Sequence, residues 1–158
     1  MTLVELENSL PNGFHDSALK SFEVDYLSGR IRATFSLKVG LPDDTRETRN
    51  DGRDAVLEIT GLIFVVLEAP DPTHDLGTGR EVWIADGYET TSIPQFTQHL
   101  TELLKALPDG AFAHSFFVSD WNSYIHVAGS DCSVKWIGDQ YSISGRRKTY
   151  SPGETIDQ

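Results

Sequence analysis

Any chemistry this chain performs has to be built from five histidines, their acidic neighbours and one thiol. Two of the histidines precede an aspartate directly, as His15-Asp16 and His74-Asp75. Such a pair has the residue types of a general base or of a metal site. On a strand, adjacent side chains point to opposite faces, so the pair serves one site only where the backbone turns. Gly13, just ahead of His15, allows that turn. His15 and Asp16 are thus the catalytic candidates. The simpler account gives Asp16 to local backbone amides and packs His15 at the base of the hairpin that follows.

The remaining groups point less toward chemistry. His74-Asp75 lies in a loop and joins His15 only through tertiary contact. His99 falls off the apolar stripe of a helix, toward solvent. Cys132 is the single cysteine, so no internal disulfide forms, and no cationic neighbour in sequence activates its thiol. G-x-S-x-G, H-E-x-x-H, Walker and dinucleotide-binding patterns are absent, and no cofactor or metal is implied. Trp121 sits in a predicted turn between Asp120 and Asn122, and an exposed turn tryptophan is a natural contact residue. Trp121, Asp120, Asn122 and the nearby His126 are the binding candidates.

The elements that position these residues begin with a hairpin. Ser28-Gly29 reads as a two-residue turn, with Gly29 supplying the positive φ such turns need. Pairing outward sets Tyr26 opposite Ile31, Val24 opposite Ala33 and Phe22 opposite Phe35, and Leu37 and Val39 extend that face. The other face pairs Asp25 with Arg32 and Glu23 with Thr34. One face is apolar and one polar, as in a half-solvated antiparallel pair.

Residues 40–54 read as a charged, exposed loop. Ala55–Glu68 is a β-prone run: Leu57 and Ile59 alternate with Glu58 and Thr60, Gly61 suggests a bulge, and 62–67 is apolar on both faces, as in a central strand. Arg80–Tyr88 is a further strand. Ser92–Leu107 predicts an amphipathic helix, capped by Ser92 with Gln95, its stripe running through Phe96, Leu100, Leu103, Leu104 and Leu107. Ala111–Ile137 predicts a three-strand meander with turns at Trp121-Asn122 and Ser130-Asp131. Phe112, Phe116, Val118, Ile125, Val127, Val134 and Trp136 then share a face. His114 falls on that face as a core histidine bonded to backbone, and His126 on the other, near Phe117 and Lys135. A short strand around Tyr141 and Ile143 follows. The expected fold is α+β: a mostly antiparallel curved sheet of six to eight strands packed on one amphipathic helix. Residues 1–146 form one domain, with 147–158 a loose tail.

Two stretches carry a resemblance. GFHD ahead of the hairpin (within Gly13–Val39) and FFVSDWNSYIHVAGSD (within Phe116–Trp136) cover about a third of the chain. In these it resembles a group of uncharacterised bacterial domains that open on an F-H-D turn and close with a W-N-S-hydrophobic-H segment. It is also loosely similar to small bacterial immunity proteins with a comparable His-Asp turn. That likeness implies toxin neutralisation by binding, without catalysis, and carries over no catalytic residue.

Thirteen basic against 24 acidic residues leave a formal net charge of −11. Such a surface repels phosphate backbones and anionic membranes and favours basic partners. The first residues lack the basic and apolar regions of a signal peptide, and no stretch approaches a membrane-helix length, so a cytoplasmic protein is expected. The combined expectation is a non-catalytic protein-binding domain with a basic protein partner and no nucleic-acid or membrane partner. The rivals are a small ligand-binding protein or hydrolase-like enzyme using His15 and Asp16, and a homodimer that covers strand 62–67.

Overall fold

The first seven-residue helix forms because Thr2 and Glu5 close a capping box: Glu5 N donates to Thr2 Oγ1 at 3.2 Å, and Thr2 N donates to Glu5 Oε2 at 2.7 Å. Leu3, Leu6 and Leu10 then fall on one side of that helix, α1 (Leu3–Ser9), and all three are buried. The structure, a computed structural model, describes residues 1–40, 45, 51–73, 82–93 and 98–138.

Among the described residues eight strands follow: β1 (Ser17–Asp25), β2 (Arg30–Lys38), β3 (Gly52–Thr60), β4 (Phe64–Leu67), β5 (Val82–Glu89), β6 (Phe112–Val118), β7 (Ser123–Gly129) and β8 (Asp131–Trp136). A 3-10 turn (Thr90–Ser92) and helix α2 (Gln98–Lys105) separate β5 from β6. The fold is α+β, with one curved, unclosed antiparallel sheet in the order β4-β7-β6-β5-β1-β2-β3-β8. Its inner face carries Ile31, Phe35, Leu57, Ile59, Phe116, Ile125, Val127, Val134 and Trp136, with α1 packed against β5, β6 and β8. The helix in the core is therefore α1, where residues 1–12 read in sequence as a lead-in, a short strand or helical turn ended by Pro11-Asn12-Gly13. Helix α2 is shorter than expected, and only Leu100 of its leucines is fully buried.

Both local hairpins form with the expected faces but with registers shifted by two residues. Phe22 pairs with Ala33, Val24 with Ile31, Glu23 with Arg32 and Asp25 with Arg30. The loop is Tyr26–Gly29, so Tyr26 leaves the apolar face and is 76 % exposed. In the β6–β7 pair, Phe116 lies opposite Ile125 and Val118 opposite Ser123 around a loop at residues 119–122. A shift of two preserves every face, which is why the apolar sets survive it.

The larger correction is at Ser130-Asp131. The chain does not turn back there; β8 pairs with β3, Leu57 opposite Val134 and Ala55 opposite Trp136. Segments β3–β4 and β7–β8 make one long antiparallel ribbon, bent where Ser130 N donates to Thr60 O and Ile63 N to Ala128 O. At the bend a Cβ on Gly129 would come within 2.6 Å of Ile59 Cγ2, and Gly61 has φ +62°. The bend sends β4 to the far end of the sheet. Segment 62–67 is accordingly not a central strand: its residues are half-buried or exposed, Leu67 at 58 %. Tyr141, Ile143, His74-Asp75, the tail and most of the 40–54 loop lie outside the described residues.

Candidate functional site

The GFHD turn serves the core through its phenylalanine. Residues 11–16 turn with Gly13 at φ +56° and Asp16 at φ +50°. This drives Phe14 inward, fully buried, its ring 5.2 Å from Phe35 and edge-on to Phe116 at 5.1 Å. Asn12 Nδ2 donates to the carbonyls of Lys38 and Gly40, and Ser17 Oγ donates to Phe14 O. The roles expected of Asp16 and His15, capping the turn and packing under the hairpin, thus belong to Asn12, Ser17 and Phe14. The His15 and Asp16 side chains stand 61 % and 65 % exposed, Nε2 lying 3.5 Å from Oδ2. An exposed pair of this kind contributes little to stability.

The β6–β7 ladder holds the two buried histidines. His126 faces away from the core, as expected, though not beside Lys135, because β8 has left for β3. Its Nδ1 lies 2.6 Å from Ser115 Oγ on the facing strand, and Ser115 Oγ lies 2.8 Å from Thr90 Oγ1. Its Nε2 lies 3.1 Å from Glu68 Oε1, while Glu68 Oε2 accepts from Tyr124 N. Tyr124 stacks on the imidazole at 20°. In a neutral ring Nε2–H donates to the Glu68 carboxylate, Nδ1 accepts from the Ser115 hydroxyl, and Ser115 accepts from Thr90. By residue type this is a nucleophile, base and acid in series. Two features separate it from a working triad. The serine sits on Nδ1 and the acid on Nε2, and Ser115 is closed to solvent, wedged between Thr90 and His126. The chain ties together four separate segments. Sequence reasoning missed Ser115, Thr90 and Glu68; only the cross-strand pairing of Ser115 with His126 exposes the set.

His114 faces the core beside Phe14 and Phe116. The expected bond to backbone is not made: both ring nitrogens lack a hydrogen-bond partner. Glu7 Oε2 approaches Nε2 only to 3.7 Å. Burial lowers the imidazole pKa to about 3, so the ring is neutral at physiological pH. Burial, and then nearby Asp86, raise the Glu7 carboxyl above its ordinary value, against the bond it accepts from Phe14 N. Among the described residues no cluster of three or more His, Cys, Asp or Glu could hold a metal ion. Cys132 is buried, its thiol pushed up to about 12 by desolvation, so a reactive thiolate does not form there.

The 119–122 turn is fastened to its neighbours. Asp120 Oδ2 accepts from Trp83 N at 2.7 Å. Asn122 Nδ2 donates to Asp71 Oδ2, and Asp71 N donates to Trp121 O. Trp121 is half-buried and packs against the core, not standing free as expected.

The β1–β2 loop is the contrasting surface. Asp25 Oδ1 accepts from the amides of Leu27 and Ser28, and Oδ2 accepts from Ser28 Oγ at 2.7 Å. These bonds hold the Asp25 carboxyl below its usual range. They also hold the backbone so that Leu27 projects fully, at 102 % exposure, beside Tyr26. Leu62 N donates to Gly29 O, which brings the loop to the ribbon bend, where Ile63 is 40 % exposed. A charged groove of 410 Å³ runs beside the tip, with Glu23, Asp25, Glu58, Arg30 and Arg32 in its lining. No helix among the described residues is long and apolar enough to cross a membrane. Comparison with family models, curated proteins and solved structures found no match to the chain.

Proposed function

We propose that the protein is a non-catalytic binding domain that engages a basic protein through the β1–β2 tip, in the manner the likeness to immunity proteins implies. One observation carries this reading: Tyr26 and Leu27 are displayed on a turn that Asp25 already holds rigid. A preorganised tip loses little entropy on docking, and a tyrosine beside a leucine has the size of a binding anchor. The net charge of −11 steers a basic partner toward it. The 119–122 turn, whose polar groups are already occupied, is the poorer surface. His15 and Asp16 have no third group within the geometry described, and Ser115 is sealed, so neither supports a catalytic reading over binding.

The test is capture of a partner from the native host at low salt with wild-type protein and with Tyr26→Ala/Leu27→Asp. A basic partner whose capture declines with salt, and falls at least about tenfold for the variant, is expected. Both residues are exposed, so the variant should melt like wild type. Failure to capture any basic protein, or equal capture by the variant, overturns the reading.

A further inference from the structure

The sheet is unclosed, so it ends in two edge strands, β4 and β8. An edge strand presents unpaired N–H and C=O groups and draws other strands unless it is guarded. The β8 strand carries the exposed, charged Asp131 and Lys135 and has α1 packed against it. The β4 edge has no such guard. From Leu62 to Leu67 the chain is uncharged and holds no proline, and Ile63 and Leu67 are exposed.

The ladder fixes which backbone groups of β4 are open. Val66 lies opposite His126 and Leu67 opposite Ile125, and Glu68 N donates to Tyr124 O. In an antiparallel pair such bonds recur at alternate residues. Phe64, Val66 and Glu68 therefore turn their main-chain groups to β7, while Val65 and Leu67 turn theirs outward. Among the described residues nothing bonds to those outward groups. The side chains of Val65 and Leu67 lie on the core side of the sheet, opposite Val127 and Ile125. The edge is also continuous with the β1–β2 tip. Leu62 N donates to Gly29 O, so Ile63 stands beside the loop that displays Tyr26 and Leu27. The charges along this stretch have one sign: between Leu62 and Thr73 the charged residues are Glu68 and Asp71.

We propose that β4 takes an extended, basic segment of the partner as an added antiparallel strand, the second contact of a surface that begins at the tip. The inference rests on the tip reading for the partner and adds how that partner is held. Segment residues opposite Val65 and Leu67 exchange main-chain bonds with them, and are apolar because they cover Ile63 and Leu67 on the core side. The alternating residues lie on the outer face, where a lysine or arginine meets Glu68. A second copy of the chain fits less well, since it brings a further net charge of −11 against the first. So short an edge holds a strand weakly by itself, and the tip supplies the remaining affinity.

The probes are the peptide acetyl-Arg-Val-Lys-Val-Arg-amide, its counterpart acetyl-Glu-Val-Glu-Val-Glu-amide, and forms of the basic peptide N-methylated on both valines or on the lysine. Each is titrated into the full-length, isotopically labelled protein and followed by amide shifts and hydrogen exchange. The basic peptide should give saturable, millimolar binding with shifts at Ile63, Val65 and Leu67, at least about tenfold tighter than the acidic one. At saturation, exchange should slow at the Val65 and Leu67 amides. Methylation of the valines should remove binding, because those amides face β4, and methylation of the lysine should spare it. Leu67→Lys, an exposed change, should remove binding. The tip variant Tyr26→Ala/Leu27→Asp should keep it, so failed partner capture and a failed titration are separate results. No shifts at these residues with millimolar peptide, equal binding of the acidic or valine-methylated peptide, or loss of binding in the tip variant overturns the proposal. So does a dimer in sedimentation equilibrium whose Val65 and Leu67 amides are already protected, which gives the edge to a second copy.

Discussion

His114 and His126 sit on the same two-stranded ladder, both closed to water, with opposite fates. His126 satisfies both ring nitrogens and links Thr90, Ser115, Tyr124 and Glu68 into one hydrogen-bonded unit. His114 faces the other way and satisfies neither. Burial alone thus says nothing about what a histidine does. The outward ring contributes stability because its partners are in place, and the inward ring gives some up because the Glu7 carboxyl stands 3.7 Å off, beyond hydrogen-bond reach.

The comparison breaks first at His126. Replacing it with alanine leaves the Glu68 carboxylate with only the Tyr124 amide and the buried Ser115 hydroxyl with only Thr90, and should destabilise the fold by about 3 kcal/mol. Urea denaturation at neutral pH measures this, and a loss below about 1 kcal/mol would mean water repairs the chain. His114→Leu should do the opposite of what its burial suggests. With the unpaired nitrogens gone, stability at neutral pH should stay within about 1 kcal/mol of wild type on either side.

Acid sharpens the contrast. Folding lowers the His114 pKa from 6.5 to about 3. Between those values the unfolded chain binds a proton that the folded chain refuses. This part of the stability is complete above the unfolded value and is lost as pH falls, by about 1.4 kcal/mol per pH unit. Asp25, Glu5 and Asp131 have lowered carboxyls whose contribution has the same sign but fades only near the carboxylate range, while the raised Glu7 carboxyl acts with the opposite sign, so the histidine is read from the difference between wild type and His114→Leu over pH 6.5 to 5. Urea midpoints across that window should decline more steeply in wild type than in His114→Leu. The His114 ring resonances should not titrate within it, and a midpoint near 6.5 would contradict the sealed environment.

The two histidines also mark the reach of the sequence. Their opposite facing was legible, because strand alternation survives any two-residue shift of register. The shift itself was not: nothing in the face pattern distinguishes a Ser28-Gly29 turn from the longer Tyr26–Gly29 loop, and the deciding interaction is the Asp25 carboxylate reaching over that loop. The α1 helix did announce itself, through T-x-x-E at residues 2–5 and the leucine spacing 3, 6, 10, but one short helix beside a long amphipathic stretch is easily outweighed. The departure of β8 to β3 rests on contacts about 75 residues apart in sequence, such as Leu57 with Val134, and no local spacing encodes them. The Thr90–Ser115–His126–Glu68 chain was invisible for the same reason, since it joins residues that only tertiary pairing brings together.

The smallest effect tests the link between the unpaired ring and α1. Burial and Asp86 raise the Glu7 carboxyl. A raised carboxyl means the folded protein holds its proton more tightly than the unfolded chain does, so stability is lost as pH rises through the folded value. At neutral pH the charged form therefore works against folding. Glu7→Gln keeps an oxygen for Phe14 N and offers an amide N–H toward His114 Nε2. It should stabilise the protein by up to about 1 kcal/mol at pH 7, with the relief of the buried charge shrinking as pH falls from the folded value toward 4.5 and absent below it, where folded and unfolded carboxyls are both protonated. In a double-mutant cycle with His114→Leu, the part of the gain that passes through the imidazole should disappear, leaving only the relief of the buried charge. A gain unchanged in the leucine background would separate Glu7 from His114 and place its cost in burial alone.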